Sequence, residues 1–410
     1  MMVPGHSSLR RFVLVLALLG FLLADVVATH RFFTSRFPGA NDFASRWAGA
    51  RAFWRDGVSP YSDEATRQIQ MLIYGRVIPP EEEQAFDPGP FAYPFYTVFL
   101  LWPLMWVSYA WAEAVWLVLL EVCLMLGFLL ALRLHSWRPP RWLLACTAVW
   151  VFLFYPSARA LLLGQFAVLV FAMLALSLWA LRQERDFWAG LCLMLCTFKP
   201  QMVFLLIPTL LLWAILRRRW RFVASFAGWL ALFLGVSWLV EPDWVADFFG
   251  QVARYTSYTA IGSPVWIITH VVLPGLGDWG EWLISGLLVV YLVGATWWAL
   301  KQRRVDAFRW VVGLCFIITN LVALRTATTN YVMLLLPLVM IFGVLQRRQG
   351  GAWWILLIEA VLLIGLWALF LTTVEGRFEH PVVYLPLPLG LLAVFVLGRR
   401  WLIGSRESSP

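Results

Sequence analysis

Apolar runs long enough to carry a helix through roughly 30 Å of hydrocarbon follow one another along almost the whole chain, separated by short clusters of arginine. Residues 12–28 form the first of about a dozen such runs, so the pattern predicts an all-α polytopic membrane protein. Two intervals are long and polar instead. They cover 29–109 and 241–281, and both are expected to lie as outer loops on a single integral membrane domain spanning 1–410. Within the first, Phe43, Trp47, Ala50 and Trp54 recur at helical spacing while Arg46, Arg51 and Arg55 take the other side. That spacing predicts an amphipathic helix over 43–56 lying in the membrane interface.

The arginine clusters orient the chain. Arg10 and Arg11 place the N-terminus inside under the positive-inside rule, and the first run can be read as an uncleaved signal anchor. If 91–107 were a full span, the stretch Arg133 to Arg141 and every later basic cluster would fall outside. Treating 91–107 as a segment that lies along or dips into the outer leaflet returns them all to the cytoplasmic side, with about twelve spans and both termini inside. Pro88, Pro90, Pro94 and Pro103 agree, because proline interrupts a regular helix. Irregular backbone at membrane depth must be buried in protein or line a wet cavity, so this segment is expected to wall a cavity open to the outside.

Composition narrows the class further. The chain is 61% hydrophobic and 13% charged, with 26 tryptophans and a mean hydropathy of +0.77, more apolar surface than a soluble core needs. A net charge of +9 invites a nucleic-acid reading, but the arginines sit between apolar runs rather than along one face, so no nucleic-acid partner is expected. All five cysteines fall in apolar stretches without a CxxC pair. His270 and His380 have no carboxylate or histidine at ligand spacing, and no DxD, Walker loop or GxSxG occurs. Neither a metal nor a cofactor is expected.

Several outward polar groups remain as candidates. Asp42 sits where a helix N-cap belongs and could pair with Arg46 at i+4, a structural role that does not exclude a catalytic one. Lys199 and Pro200 break the apolar run 187–216 at its outer end; the lysine either snorkels or faces an anion. Arg159 and Arg325 are outward cations that the positive-inside rule does not explain, and three such cations suit a lipid phosphate. Gln165, just inside the run that starts near 161, needs a partner in lipid and reads first as a bond between helices. Glu121 and Glu359 lie deep in spans, where a protonated, hydrogen-bonded carboxyl is expected.

Four stretches carry a resemblance: NDFASRWAGARAFWRDGVSPY at 41–61, FAYPFYTVFLLWPL at 91–104, LLLGQFAVLVFAMLALSLWALRQERDFWAGLCLMLCTFKPQ at 161–201, and NYVMLLLPL at 330–338. Together they resemble glycosyltransferase family 87, relatives of the polyprenol-phosphate-mannose-dependent mannosyltransferases of the membrane GT-C class. The resemblance implies a GT-C-type bundle with juxtamembrane helices in the first outer loop. It also implies inverting transfer of a hexose, mannose favoured, from a polyprenyl-phosphate-linked donor to a lipid or glycan acceptor at the outer face of the cell membrane. Asp42 matches the family's acidic residue in the first outer loop, the general base. Lys199 matches its lysine and would hold the donor phosphate with Arg325 or Arg159, while Asn330, Gln165, Tyr93 and Arg51 would support the pocket. One departure stands out: many members carry a histidine before the late apolar span where this chain has Asn330, and asparagine carries no proton at neutral pH. A multi-span transporter or lipid flippase is the alternative, and a scaffold in envelope assembly a third. No internal repeat of the kind transporters show is found.

Overall fold

The computed structural model describes residues 5–37, 41–82, 89–258, 262–302, 304–324, 326–376 and 379–404. Among them there are helices and no strand, as the hydrophobic period predicts. Among the described residues, seven helices are long and apolar enough to cross a membrane, the longest being Tyr109–Leu134 and Gly277–Gln302 at 26 residues each. Arg141–Leu153 and Tyr155–Leu162 make an eighth if counted as one span bent by 52°. Pro156 explains the bend: it lacks an N–H and its ring clashes with the preceding turn, so it begins a new helix rather than continuing the old one.

The expected count of about twelve is therefore not reached by length alone. The remaining apolar runs form shorter helices, Phe166–Arg182, Asp186–Phe198, Leu206–Leu216 and Pro381–Leu397. Helices this short are packed by neighbouring helices of the same chain rather than by lipid, most of Phe166–Arg182 being buried. That helix begins beside one cavity and ends at another.

Close packing of these short helices needs small residues. Gly190 shows why: a Cβ at that position would lie 2.7 Å from the backbone nitrogen of Phe226 and 2.8 Å from the carbonyl oxygen of Phe222. Asp186–Leu195 and Trp220–Val240 can therefore approach backbone to backbone, and any larger residue would force them apart.

The first polar interval folds as expected in outline. A helix runs over Asn41–Asp56, and Thr97–Leu101 with Trp102–Trp106 makes a ten-residue helical segment too short to cross. The two are stitched together by indoles, Trp47 donating to the Leu104 carbonyl and Trp54 to that of Val98, each at 2.9 Å. One expectation fails here. Arg46 is buried, 3% exposed, instead of sharing a solvated face with Arg51 and Arg55.

Of the two deep carboxyls, Glu359 accepts a hydrogen bond from the Thr147 hydroxyl at 2.6 Å, and Glu121 faces Asp25 of the first span.

Candidate active site

At the end of the bundle away from most arginines lies a cavity of about 310 Å³. Asp42, Tyr93, Gln165, Lys199 and Asn330 all line it, although they come from five separate parts of the chain. Arg46 and Ser45 join them from the first turns of Asn41–Asp56, and Phe248, Phe249 and Val252 close one side from the second polar interval.

Local structure explains how each group arrives. Gly164 has φ +61°, a left-handed conformation that glycine adopts without strain, and it ends the helix Tyr155–Leu162. Its carbonyl accepts the Trp116 indole at 2.8 Å. The sharp turn leaves Gln165 at the N-cap of Phe166–Arg182 without a capping bond, so its amide is free to reach sideways. Lys199 occupies the turn between two 3-10 segments, where Pro200 stops the first helix and starts the next. Tyr96 fastens this turn to the 91–96 segment through the Thr197 hydroxyl at 2.9 Å.

Gln165 is the hub. Its Nε2 donates to Asp42 Oδ2 at 2.5 Å, and its Oε1 accepts from Lys199 Nζ at 2.6 Å. One amide therefore separates the carboxylate from the ammonium and fixes both. The Asp42 carboxylate is drawn toward Gln165 rather than capping its helix, and the expected Asp42–Arg46 ion pair is replaced by a bond from Arg46 to the Asp42 backbone carbonyl. Arg46 also donates to the Tyr93 hydroxyl, lies 4.3 Å above the Tyr93 ring, and reaches Gln165 Oε1 at 3.5 Å. Burial is the main reason that the Lys199 pKa falls to about 7; Arg46 pushes it the same way and Asp42 opposes. Of the groups lining the cavity, Arg46 Nε and Asn330 Oδ1 are buried without a hydrogen-bond partner among the described residues. A polar ligand in the cavity could satisfy them.

Arg46 is a charged lining residue that reading the sequence did not place at the site. A signal was present, since positions i and i+4 share a helix face and Arg46 must follow wherever Asp42 points. Other expected residues lie elsewhere. Arg51 stacks its guanidinium 5.1 Å from the Trp47 ring and does not line the cavity. Arg159 is also absent from the lining: its Nε pairs with Glu379 Oε1 at 3.1 Å. Arg325 lies outside the described residues. His270, expected to stand alone, instead meets Asp278 at 3.0 Å, and Glu281 is close enough that the three could offer ligand atoms within 4.8 Å of one another. None of the three lines the cavity.

Neither a curated protein nor a solved structure matches this chain. The model of glycosyltransferase family 87 matches residues 91–324, more than half of the sequence, and takes in Tyr93, Gln165 and Lys199, with Asp42 and Arg46 before it and Asn330 just after. By that match, and with helices apolar enough to cross a membrane, the chain belongs to glycosyltransferase family 87 and is a membrane glycosyltransferase.

Proposed function

We propose that the protein transfers a hexose, mannose favoured, from a polyprenyl-phosphate-linked donor to a lipid or glycan hydroxyl at the outer face of the membrane, with inversion. The observation that carries this reading is the bridge from Asp42 through Gln165 to Lys199 within one cavity. An inverting displacement needs these two functions close together. The carboxylate takes the proton of the acceptor hydroxyl as its oxygen bonds to the anomeric carbon. The bond from that carbon to the phosphate oxygen breaks, and its electron pair leaves with the polyprenyl phosphate, which becomes a dianion.

Because the leaving group is stable as an anion, no separate general acid is required. Lys199 and Arg46 supply positive charge in a buried setting, where it stabilises developing negative charge far better than in water. Tyr93 and Gln165 hold the two cations in place. Asn330 offers an unpartnered acceptor, Oδ1, to a sugar hydroxyl; it stands where many relatives have a histidine, so proton transfer is left to Asp42. Orientation follows the arginines: they crowd the opposite end, which the positive-inside rule makes cytoplasmic.

The test is release of polyprenyl phosphate by the purified protein in lipid, offered a panel of polyprenyl-phospho-hexoses together with membrane extract as acceptor. Release from polyprenyl-phospho-mannose above the other donors supports the proposal. Release from none of them, with the protein folded, would sink it.

A further inference from the structure

A second cavity, of about 270 Å³, lies at the arginine-rich end of the bundle and has no part in the chemistry above. Its inner wall is apolar, built from Leu178, Trp213, Phe316, Leu336 and Pro337. At its mouth stand Arg182, Arg219 and Arg309 with Glu184, and an adjoining cavity that shares His135 and Arg309 adds Arg304, Arg347 and Asp306. Arg182, Arg219, Arg309, Arg304 and Arg347 thus line the two adjoining cavities with Glu184 and Asp306, and Asp186 stands behind Arg219.

These arginines are not interchangeable. Arg219 is paired with Asp186, and Arg304 is turned to the carbonyls of Ile403 and Gly404. Arg182 is fixed in place by the carbonyls that end Tyr109–Leu134: it donates to those of Arg133 and Leu134 and to the Ser136 hydroxyl. Arg309 leans on Asp306 at 3.2 Å. Between them, His135 is driven down to a pKa of about 3, first by burial and then by the charges of Arg309 and Arg182. The imidazole is therefore neutral, and the excess positive charge belongs to the arginines.

Protein interiors are close-packed, and an apolar hole of this size is either dry or holds an apolar group. Water has too few polar partners on its inner wall. An anion alone would satisfy the mouth and leave the hole. A phosphate carried on a hydrocarbon chain satisfies both, because guanidinium groups bind phosphate with two parallel hydrogen bonds.

We propose that this cavity binds one anionic phospholipid from the arginine-side leaflet, with an acyl chain among Leu178, Phe316 and Leu336 and the phosphate between Arg182 and Arg309. The inference does not rest on the glycosyl-transfer reading, and it is tested without measuring transfer.

The full-length protein is released from detergent micelles containing phosphatidylglycerol or phosphatidylcholine of the same acyl chains, and bound lipid is counted by native mass spectrometry. One retained phosphatidylglycerol, favoured about tenfold or more over phosphatidylcholine, is expected. Arg182→Gln with Arg309→Gln should lower that retention about tenfold. Leu178→Trp keeps the charges but fills the half-buried wall, and should lower it as well; it decides the matter if the double variant fails to fold. Equal retention of both lipids, phosphatidylglycerol retained undiminished by the folded variants, or its displacement by inorganic phosphate alone would overturn the proposal.

Discussion

The two cavities lie toward opposite ends of the same pair of helical segments, Val305–Val322 and Thr328–Leu345, and they solve the problem of buried charge in opposite ways. At one end Asp42, Lys199 and Arg46 meet through Gln165, so each charge faces another and all are held by hydrogen bonds. At the other end arginines gather around an apolar hole with little opposing charge. Under the proposed function the first arrangement is pre-organised, with charge set where the transfer would develop it. The second is an electrostatic deficit that an anion from the membrane offsets. On the proposed reading, the catalytic site is marked not by the number of cations but by a carboxylate set against a cation.

Substitutions can break this contrast, starting at the carboxylate. Asp42→Asn removes the base while keeping a hydrogen-bond acceptor for Gln165, and kcat should fall by roughly a hundred- to ten-thousand-fold in the transfer assay. Lys199→Ala should lower kcat/KM for the donor by about a hundred- to a thousand-fold. The lysine also predicts a pH dependence. In the proposed function its charged form binds the donor phosphate, and its lowered pKa of about 7 means that charge is present below pH 7 and lost above it. The pH profile of kcat/KM, which reports the free enzyme, should therefore decline above about pH 7, and Lys199→Arg should move that decline to higher pH.

Gln165→Leu leaves both charges in place without their bridge. We expect about tenfold loss of kcat/KM and about 1–3 kcal/mol of stability, read by steady-state kinetics and thermal unfolding. A wild-type rate in this variant would mean that the bridge is incidental. The smallest kinetic effect is expected at Arg159→Ala. Glu379 loses its partner while the Tyr155 and Thr328 hydroxyls still reach it, so stability should drop by about 1–3 kcal/mol with kcat/KM per folded molecule unchanged. A fall in kcat/KM would instead bring Arg159 back to the donor phosphate.

Which of these residues could be read from the sequence follows from what each one costs. Lys199 and Gln165 stand out because a polar group in an apolar run needs a reason to be there, whereas Asn330 and the site roles of Asp42 and Gln165 came from the family resemblance; all four line one cavity. The juxtamembrane segment 91–107 was legible from its prolines and from the arginine bookkeeping of orientation. Arg159 was not, because the partner that explains it, Glu379, is far along the chain and only folding brings it near. His270 failed in the same way, its partner Asp278 arriving across a turn. Arg46 was hidden by the assumption that a helix in a polar interval keeps all its arginines on the wet side. Of the dozen passes expected, seven or eight are matched among the described residues by helices long enough to cross unaided, and other apolar runs fold as shorter helices, because an apolar run reports burial rather than helix length.

The most direct test of the central claim measures donor binding and transfer on the same preparation of the Asp42→Asn variant. If the carboxylate is the base, the donor binds with close to wild-type affinity and transfer is lost. Transfer at the wild-type rate, or loss of donor binding and transfer together, would contradict it.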